Sequence, residues 1–296
     1  MTAPTTIAYL GPAGTFSEQA ALAVRNGLGL ADAALATEAS IRRVASRVEP
    51  GTLGVLPAYN LLEGAVQETL DALFYDRLHA IAMVRAPIIF VAATKEPADR
   101  YHTVCSHPKA LGQCDGSIRR EHPDANVVPT ASTAAAAERA AAEPGVVALC
   151  SASAAASRRL HVLNDDAGDR RYGRANTTEF LVLADRDVSV IDGADRTILL
   201  AAPEVDRPGV LRDILDECAG RGLNVAKLHV RPSPIGVGHD ADAPQAFLLE
   251  LVAAPDDPAV ADAASAIVAR FSGVATSLVR VVGGYPSIGL GSEHPG

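Results

Sequence analysis

The stretch ANVVPTASTAAAAERAAAEPGVVALCSASAAASRR (125–159) decides the fold class, because it holds two short apolar runs that are each followed by an alanine-rich segment. The apolar runs have the length and composition of buried strands, and the segments after them have the composition of helices. The same alternation covers about 180 residues and predicts parallel α/β sheets. In such sheets ligands bind beyond the carboxyl ends of the strands. The polar turn residues that follow strands are therefore the candidates for a site.

The bulk properties narrow the class of protein. The chain has 296 residues, which predicts two or three structural units. Its net charge of −9 disfavours non-specific binding to nucleic acid. No apolar run reaches the roughly 18 residues that a membrane span needs, and the N-terminus MTAPTTIAYLGPAG lacks the features of a signal peptide. We therefore expect a cytoplasmic protein with neither nucleic acid nor membrane as partner.

The cysteines and glycines indicate no cofactor. The four cysteines have no CxxC spacing and no histidine at a zinc-ligand interval, so we predict reduced, mostly buried thiols and no metal site. The sequence has neither a P-loop nor a dinucleotide fingerprint. These cysteines are Cys105, Cys114, Cys150 and Cys218.

The last third of the chain has a different pattern. The polar stretch DRDVSVIDGAD (185–195) reads as a linker. Apolar and helical segments then follow in the order βαββαβ, which is typical of a ferredoxin-like unit. The glycine- and proline-rich end GGYPSIGLGSEHPG (283–296) is expected to fray.

Several motifs carry a resemblance to a known family. YLGPAGTFSEQAA (9–21) places a glycine turn before a helix start, where free backbone N–H groups favour an anion. It resembles the opening motif of the prephenate dehydratase family. Further stretches resemble that family's motifs in order, and the C-terminal unit resembles an ACT domain. These stretches are GVLPAYNLLEGAVQETLD (54–71), CSHPKALGQC (105–114), ASTAAAA (131–137), NTTEF (176–180), RPGVL (207–211) and NVAKLHVRPS (224–233).

The resemblance implies an α/β fold with a two-lobe catalytic domain of the periplasmic-binding-protein type (type II), followed by the ACT domain. The expected boundaries are 1–186 for the catalytic domain, 187–194 for a linker, 195–283 for the ACT domain and 284–296 for a flexible tail. The first lobe is expected at about 1–78 plus 176–186, and the second at about 79–175. The resemblance further implies prephenate as substrate, an amino-acid effector such as Phe at the ACT domain, and a homodimer or homotetramer.

The resemblance also implies roles for single residues. Thr178 is the implied proton donor of the reaction. The expected substrate-binding residues are Thr15, Phe16, Ser17, Asn60, Ser106, His107, Ser132, Thr133 and Phe180. His107 is expected to shape its loop, and Ser132 and Thr133 have the alternative role of a helix cap. The expected effector-binding residues are Gly209, Val210, Leu211, Asn224 and Arg231.

The chain departs from the family motifs at three places. The motif Glu-Asn-Ser is Tyr59-Asn60-Leu61 here, Thr-Arg-Phe is Thr178-Glu179-Phe180, and Glu-Ser-Arg-Pro is His229-Val230-Arg231-Pro232. A carboxylate in place of the motif Arg would repel an anionic substrate. At an effective dielectric near 20, like charges about 4 Å apart cost on the order of 4 kcal/mol.

These departures lead to the hypothesis that the site catalyses a different reaction from that of the family. In it Glu179 and Tyr59 act as catalytic groups beside Thr178, and the enzyme is a non-aromatising prephenate decarboxylase. Glu179, with a pKa raised by a neighbouring anion, would repel the departing carboxylate or deliver a proton. The alternatives are a divergent prephenate dehydratase of phenylalanine synthesis and a non-catalytic sensor. Strand alternation also leaves open that Glu179 points away from the site while its two neighbours face it.

Overall fold

The computed structural model describes residues 4–75, 78–169, 176–185, 192–203, 205, 207–233, 244–271 and 278–289. Within these residues the strands form two sheets, one of eleven strands and one of five. None of the described helices is long and apolar enough to cross a membrane.

The chain starts with a lobe in which buried strands alternate with helices. Its elements are β1 (Thr6–Leu10), α1 (Phe16–Gly27), β2 (Ala34–Glu38), α2 (Ile41–Ser46), β3 (Thr52–Asn60), β4 (Gly64–Ala65), α3 (Gln67–Tyr75) and β5 (His79–Pro87). β1 pairs in parallel with both β2 and β3. Helix α1 packs Ala20, Ala21 and Val24 against this sheet, at the spacing of an amphipathic helix.

The second lobe has its own sheet. Its elements are β6 (Val91–Thr94), β7 (Thr103–Ser106), α4 (Pro108–Gln113), α5 (Asp115–Glu121), β8 (Asn126–Pro129), α6 (Thr133–Ala142), β9 (Val146–Cys150), α7 (Ala152–Ser157) and β10 (His161–Asn164). The strand order is β10–β6–β9–β7–β8, with β7, β8 and β9 parallel. β9 is buried along its whole length because apolar clusters cover both faces of the sheet.

The chain then returns to the first lobe as β11 (Thr177–Ala184), which lies antiparallel between β3 and β5. Side chains alternate between the two faces of this strand. Phe180 and Val182 pack on the same face as α1, whereas Leu181 and Leu183 belong to the core on the opposite face. The two lobes are therefore joined by two crossings, which agrees with the predicted periplasmic-binding-like architecture.

The C-terminal unit has the predicted βαββαβ order. Its elements are β12 (Arg196–Ala202), α8 (Val210–Ala219), β13 (Val225–Pro232), β14 (Gln245–Leu251), α9 (Pro258–Phe271) and β15 (Leu278–Tyr285). The strands lie in the order β13–β14–β12–β15, and α8 and α9 cover one face of them. The predicted fold class is confirmed for both units.

The C-terminal sheet continues directly into the sheet of the first lobe. β15 pairs in parallel with β5 at Gly283 and Ala80. A Cβ atom at position 283 would lie 2.7 Å from the Ala80 Cβ atom and 2.8 Å from its carbonyl oxygen, so only glycine permits this approach. The face of the C-terminal sheet opposite α8 and α9 packs on the first lobe. Its residues Leu200 and Leu248 belong to the same apolar cluster as Leu73 of α3.

Two predicted boundaries are wrong. The division between the lobes was expected near 79, but β5 pairs with β11 in the first lobe, and the crossing follows Pro87. The tail was expected to fray from 284. Instead β15 extends to Tyr285, and a further strand, β16 (Ser287–Gly289), pairs with β5. Ile288 packs there against the core beneath α1. Residues 186–191 of the predicted linker region and 290–296 of the predicted tail lie outside the described residues.

The four cysteines are free and buried, as the sequence predicted. Burial raises the pKa of the Cys105 thiol to about 11 and that of the Cys150 thiol to about 12. These thiols therefore stay protonated at neutral pH and are poor nucleophiles.

Candidate active site

A threonine–asparagine pair lies at the end of two neighbouring strands. Thr178 of β11 is paired in register with Asn60 of β3, and the Asn60 Nδ2 atom donates to the Thr178 Oγ1 atom at 2.8 Å. Thr178 is only 7% exposed. The Thr178 hydroxyl thus accepts a hydrogen bond from Asn60 and keeps its own proton for another acceptor.

The orientation of the Asn60 amide is fixed by the turn after β3. Its Oδ1 atom accepts from the backbone N–H groups of Leu62 at 2.9 Å and Glu63 at 3.1 Å. Because the oxygen side of the amide is held by two backbone donors, the nitrogen side faces Thr178. The retained Asn of the second motif therefore sets the hydrogen-bonding state of the candidate proton donor.

The start of α1 forms a second part of the site. Gly14 has a φ of +85°, and Thr15 is the N-cap residue in extended conformation. The Thr15 Oγ1 atom donates to the Pro12 carbonyl at 3.0 Å and makes no capping bond to the helix. The first N–H groups of a helix have no partner within the helix and favour an anion, and here the Glu18 carboxylate of the first turn already accepts from the Gly14 N–H group at 2.7 Å.

Both lobes meet at this helix start. The Ser151 Oγ atom at the start of α7 donates to the Gly14 carbonyl at 2.7 Å, and the Gln19 Nε2 atom donates to the Ser153 Oγ atom at 2.9 Å. The rings of Phe16 and Phe90 pack edge to face with centroids 5.5 Å apart. The predicted residues Thr15, Phe16 and Ser17 therefore lie at or beside the contact between the lobes.

The predicted residues of the second lobe lie at the ends of its parallel strands. The register pairs Ser106 with Pro129, so β7 and β8 end at one edge. Ser106 is fully buried and donates to the Leu149 carbonyl at 2.5 Å. Ser132 caps α6, of which Thr133 is the first residue, and His107 caps α4. The hydroxyl proton of Ser106 and the cap oxygen of Ser132 are thus engaged within the protein, and His107 shapes its loop as predicted.

A chain of polar side chains bridges the lobes beside the Thr178–Asn60 pair. The Asn176 Nδ2 atom donates to the Gln113 Oε1 atom at 2.8 Å, and the Gln113 Nε2 atom donates to the Glu63 Oε1 atom at 2.8 Å. The Lys109 Nζ atom lies 2.6 Å from the other oxygen of Glu63. Glu63, Lys109 and Gln113 also line a cavity of about 540 Å³ between the lobes, a size typical of small-molecule sites.

The sequence prediction did not include Ser151, Glu63 or Gln113. Ser151 directly follows the buried strand β9 and Ser106 is the last residue of β7, so the same signal of a polar residue at the end of a strand identifies Ser151. Glu63 lies in a turn and contacts the second lobe 50 residues further along the chain. No local pattern indicates such a contact.

Glu179 and Tyr59 do not face the cleft, which corrects their predicted catalytic role. They are cross-strand partners of each other, one residue along from the Thr178–Asn60 pair, and so lie on the opposite face of the sheet. The Glu179 Oε2 atom lies 2.6 Å from the Lys227 Nζ atom, and its Oε1 atom accepts from the Arg85 Nε atom at 3.2 Å. The carboxylate is paired with cations and has no access to an anion in the cleft.

This opposite face forms a charged boundary with the ACT domain. Lys227 of β13 also bonds the Glu250 Oε2 atom at 2.8 Å, and its Nζ atom lies 5.3 Å from the centroid of the Tyr59 ring. These groups border an internal cavity of about 30 Å³, which is enough for a water molecule. Burial opposes the charge on Lys227, but its bonds to Glu179 and Glu250 outweigh this and raise its pKa.

His229 lines the same cavity on the ACT side. Burial and the nearby charge of Lys227 both lower the pKa of its imidazole, so the ring is neutral at pH 7. Positions 179 and 229, which both depart from the family motifs, therefore lie against one cavity.

The predicted effector residues do not all lie close together in the fold. Gly209, with a φ of +93°, opens α8, and Val210 and Leu211 follow it. Arg231 makes a bidentate ion pair with Asp71 of α3, with both N–O distances 2.7 Å. The register places Arg231 near the end of β12, which precedes α8. It places Asn224 near the other end of the same strands, where β12 begins. Within one protomer, Arg231 is thus occupied by the catalytic domain and Asn224 is distant from it.

The arrangement can bind an anion and donate a proton. A helix start without a side-chain cap lies at the contact between the lobes, and among the described residues no acceptor is bonded to the hydroxyl proton of the buried Thr178. In the part of the chain that the structure describes, no three His, Cys, Asp or Glu side chains are grouped as a metal site requires.

Comparisons with known proteins agree with this layout. Residues 7–188 match the family described as Prephenate dehydratase, and residues 204–269 match the ACT domain. A prephenate dehydratase from Amycolatopsis methanolica is 34% identical over 266 residues, which cover 88% of this chain and 83% of that protein. Arogenate dehydratase 5, a chloroplastic protein of Arabidopsis thaliana, is 31% identical over 292 residues, which cover 95% of this chain and 67% of that protein.

A solved structure has the same fold. The prephenate dehydratase of Arthrobacter aurescens in complex with L-Phe superposes with a TM-score of 0.77 at 29% identity, covering 95% of this chain and 89% of that one.

Proposed function

The chain belongs to the prephenate dehydratase family, and from this premise we propose that it converts prephenate to phenylpyruvate, carbon dioxide and water. The observation that carries the proposal is the Thr178–Asn60 pair. It presents a buried hydroxyl, with its proton free, at the cleft where both lobes contribute polar groups.

The proposed reaction assigns a role to each part of the cleft. The α1 start holds a carboxylate of the substrate at its free N–H groups. Thr178 donates its proton to the C4 hydroxyl, which leaves as water while the bond to the ring carboxylate breaks and carbon dioxide departs. The electron pair of that bond enters the ring, which becomes aromatic. One proton is taken up from solvent in each turnover, and it restores the Thr178 hydroxyl.

The position of Glu179 does not support the decarboxylase hypothesis. In that hypothesis Glu179 repels a substrate carboxylate, whereas its side chain lies on the other face of the sheet between Arg85 and Lys227. Tyr59 is on that face as well. The cleft therefore keeps the motif Thr and Asn without an added carboxylate, and dehydration is the reaction that this arrangement supports best.

We also propose that the ACT domain binds an amino acid. The relative of known structure from Arthrobacter aurescens was solved with L-Phe, and the turn Arg207–Pro208–Gly209 before α8 is present here. Calorimetric titration with L-Phe tests this, and no heat at millimolar ligand would contradict it. Assembly into dimers or tetramers stays a prediction for light scattering.

The experiment is to mix the purified protein with prephenate at neutral pH and to follow ultraviolet spectra and product masses. A control without enzyme corrects for spontaneous aromatisation. Phenylpyruvate is the expected product. A product that has lost carbon dioxide but keeps its hydroxyl and a non-aromatic ring would establish decarboxylation instead. Unchanged prephenate would overturn the proposal, and a parallel incubation with arogenate then separates a different substrate from a sensor.

A further inference from the structure

A lysine of the ACT domain contacts both strands that carry the proposed active-site pair. Thr178 and Asn60 are cross-strand partners, and the adjacent partners are Glu179 and Tyr59. The Nζ atom of Lys227 lies 2.6 Å from the Glu179 carboxylate and 5.3 Å from the centroid of the Tyr59 ring. One side chain from β13 therefore holds the next residue on each of the two strands.

The lysine is itself firmly placed. Its side chain is 20% exposed, and a second carboxylate, that of Glu250 on the neighbouring strand β14, binds it at 2.8 Å. Glu250 in turn lies 3.8 Å from Arg196 of β12. Three strands of the ACT sheet thus contribute to one charged group that faces the catalytic domain.

The ladder between β11 and β3 is irregular near this point. The register between β11 and β3 shifts between Glu179 and Phe180, which is the mark of a bulge. A bulge interrupts the ladder on the β3 side, so contacts outside that ladder help to orient the side chains at the end of β3. The shift begins after Glu179, one residue beyond Thr178, and β11 keeps a regular ladder with β5 from Thr177 to Val182.

We propose that Lys227 is a positioning residue for the reaction: it holds the Glu179–Tyr59 pair from the ACT side and thereby fixes the adjacent Thr178–Asn60 pair in the cleft. This inference rests on the proposed function for its kinetic consequences. Its structural part, the ordering of two strand ends by the ACT domain, stands on the contacts alone.

The chain offers a matched control in Arg85. Its Nε atom binds the same Glu179 carboxylate at 3.2 Å, but it comes from β5 of the first lobe and its side chain is 51% exposed. Surface ion pairs contribute little, so its loss should leave the strand ends in place. A difference between Lys227→Met and Arg85→Met therefore separates the link to the ACT domain from the charge balance of Glu179.

The kinetic test uses the full chain. We expect Lys227→Met to lower kcat roughly 2- to 30-fold, the range of energetic coupling between linked sites, with a smaller change in KM because the α1 anion contact is untouched. Arg85→Met should stay within about twofold of wild type. Lys227→Arg keeps the cation and should recover most of kcat, which a loss by unfolding would not predict.

Two further measurements keep the test decisive. Glu179→Gln breaks the same pair without leaving an unpaired carboxylate on β11, and the double variant Glu179→Gln/Lys227→Met should be no slower than the slower single variant. Amide hydrogen exchange of peptides around 177–180 and 58–61 should be faster in Lys227→Met and unchanged in Arg85→Met.

The exchange measurement needs no turnover and separates the two proposals. A wild-type protein that leaves prephenate unchanged refutes the proposed function, while the exchange result still decides whether Lys227 orders the strand ends. If the Lys227→Met variant has the same kcat and the same exchange rates as the Arg85→Met variant, the inference is overturned. Slower turnover with unchanged exchange at both strand ends also overturns it, because the effect would then arise elsewhere.

Discussion

The two faces of the β3–β11 strand pair differ in chemistry. On the cleft face Thr178 and Asn60 are neutral and share one hydrogen bond of 2.8 Å. On the ACT face, one residue along each strand, Glu179 and Tyr59 contact Arg85 and Lys227. Consecutive residues of one motif thus serve different sites, because side chains alternate along a strand.

The comparison explains the departure from the family motif at position 179. The family motifs have a cation on β11 at 179 and a carboxylate on β13 at 229, and this chain has Glu179 and His229 at those positions. It supplies the cation from Lys227, which lines the same cavity. In this chain a carboxylate on β11 and a cation on β13 pair across the boundary with the ACT domain.

The largest expected effect comes from breaking the cleft face. Thr178→Val keeps the shape of the side chain and removes its proton, so kcat for prephenate should fall about 10²- to 10⁴-fold, the usual contribution of a positioned acid. Thr177→Val makes the same chemical change one residue away on the other face and should stay within about threefold. Steady-state kinetics on both variants checks the comparison, and equal losses would contradict the assignment of faces.

Gly283→Ala disturbs the contact between β15 of the ACT domain and β5 of the first lobe without changing any charge. The new Cβ atom would meet the Ala80 Cβ atom at 2.7 Å and its backbone nitrogen at 3.0 Å, where β15 pairs with β5. We expect the free energy of unfolding to fall by about 1–3 kcal/mol, as for other overpacked sites. The contact that weakens should be the pairing of β15 with β5, which joins the ACT strands to the strands of the first lobe.

Gly112→Ala is the matched control for this prediction. Position 112 lies in α4, and a Cβ atom there would meet nothing within 4 Å. Alanine favours a helix over glycine, so the control should be neutral or slightly stabilising. Urea denaturation of both variants is the measurement, and equal stabilities would show that the β15–β5 contact relaxes without cost.

The sequence predicts the elements better than it predicts their contacts. Alternating apolar runs and helices define both lobes and the βαββαβ unit, because each run needs only its own residues to be recognised. The assignment of β5 to the second lobe failed because the partner of a strand is not encoded locally: β5 pairs with β11, about a hundred residues later. The strand at 287–289 was missed for the same reason, since its partner among the described strands is β5, about two hundred residues earlier.

The candidate site shows the same limit. Thr178 was predicted as a catalytic residue and Asn60 as a substrate-binding residue; the structure pairs their side chains, and their roles stay predictions. The structure places Glu179 and Tyr59 on the face opposite Thr178 and Asn60, which is the option that strand alternation left open. Arg231 was assigned to an effector, whereas its bidentate partner Asp71 is 160 residues away in the chain.

The smallest expected effect is a dependence of stability on pH that comes from His229, on the ACT face. Burial and Lys227 hold the pKa of His229 below its usual value near 6.5, so the unfolded state binds this proton more readily than the folded state. Stability should therefore fall as the pH drops below about 6.5 towards the folded-state pKa. The effect should be a few tenths of a kcal/mol, because solvent screens a partly exposed group.

The variant His229→Gln should flatten this slope between pH 7 and 5. His122, whose pKa is also lowered by burial, adds a slope of its own, and His122→Gln serves as the control in the second lobe. The carboxyl groups with lowered pKa, such as Asp213, titrate below this window. If the pH dependence of unfolding is the same in wild type and His229→Gln, burial and the charge of Lys227 do not lower the pKa of His229 in the folded protein.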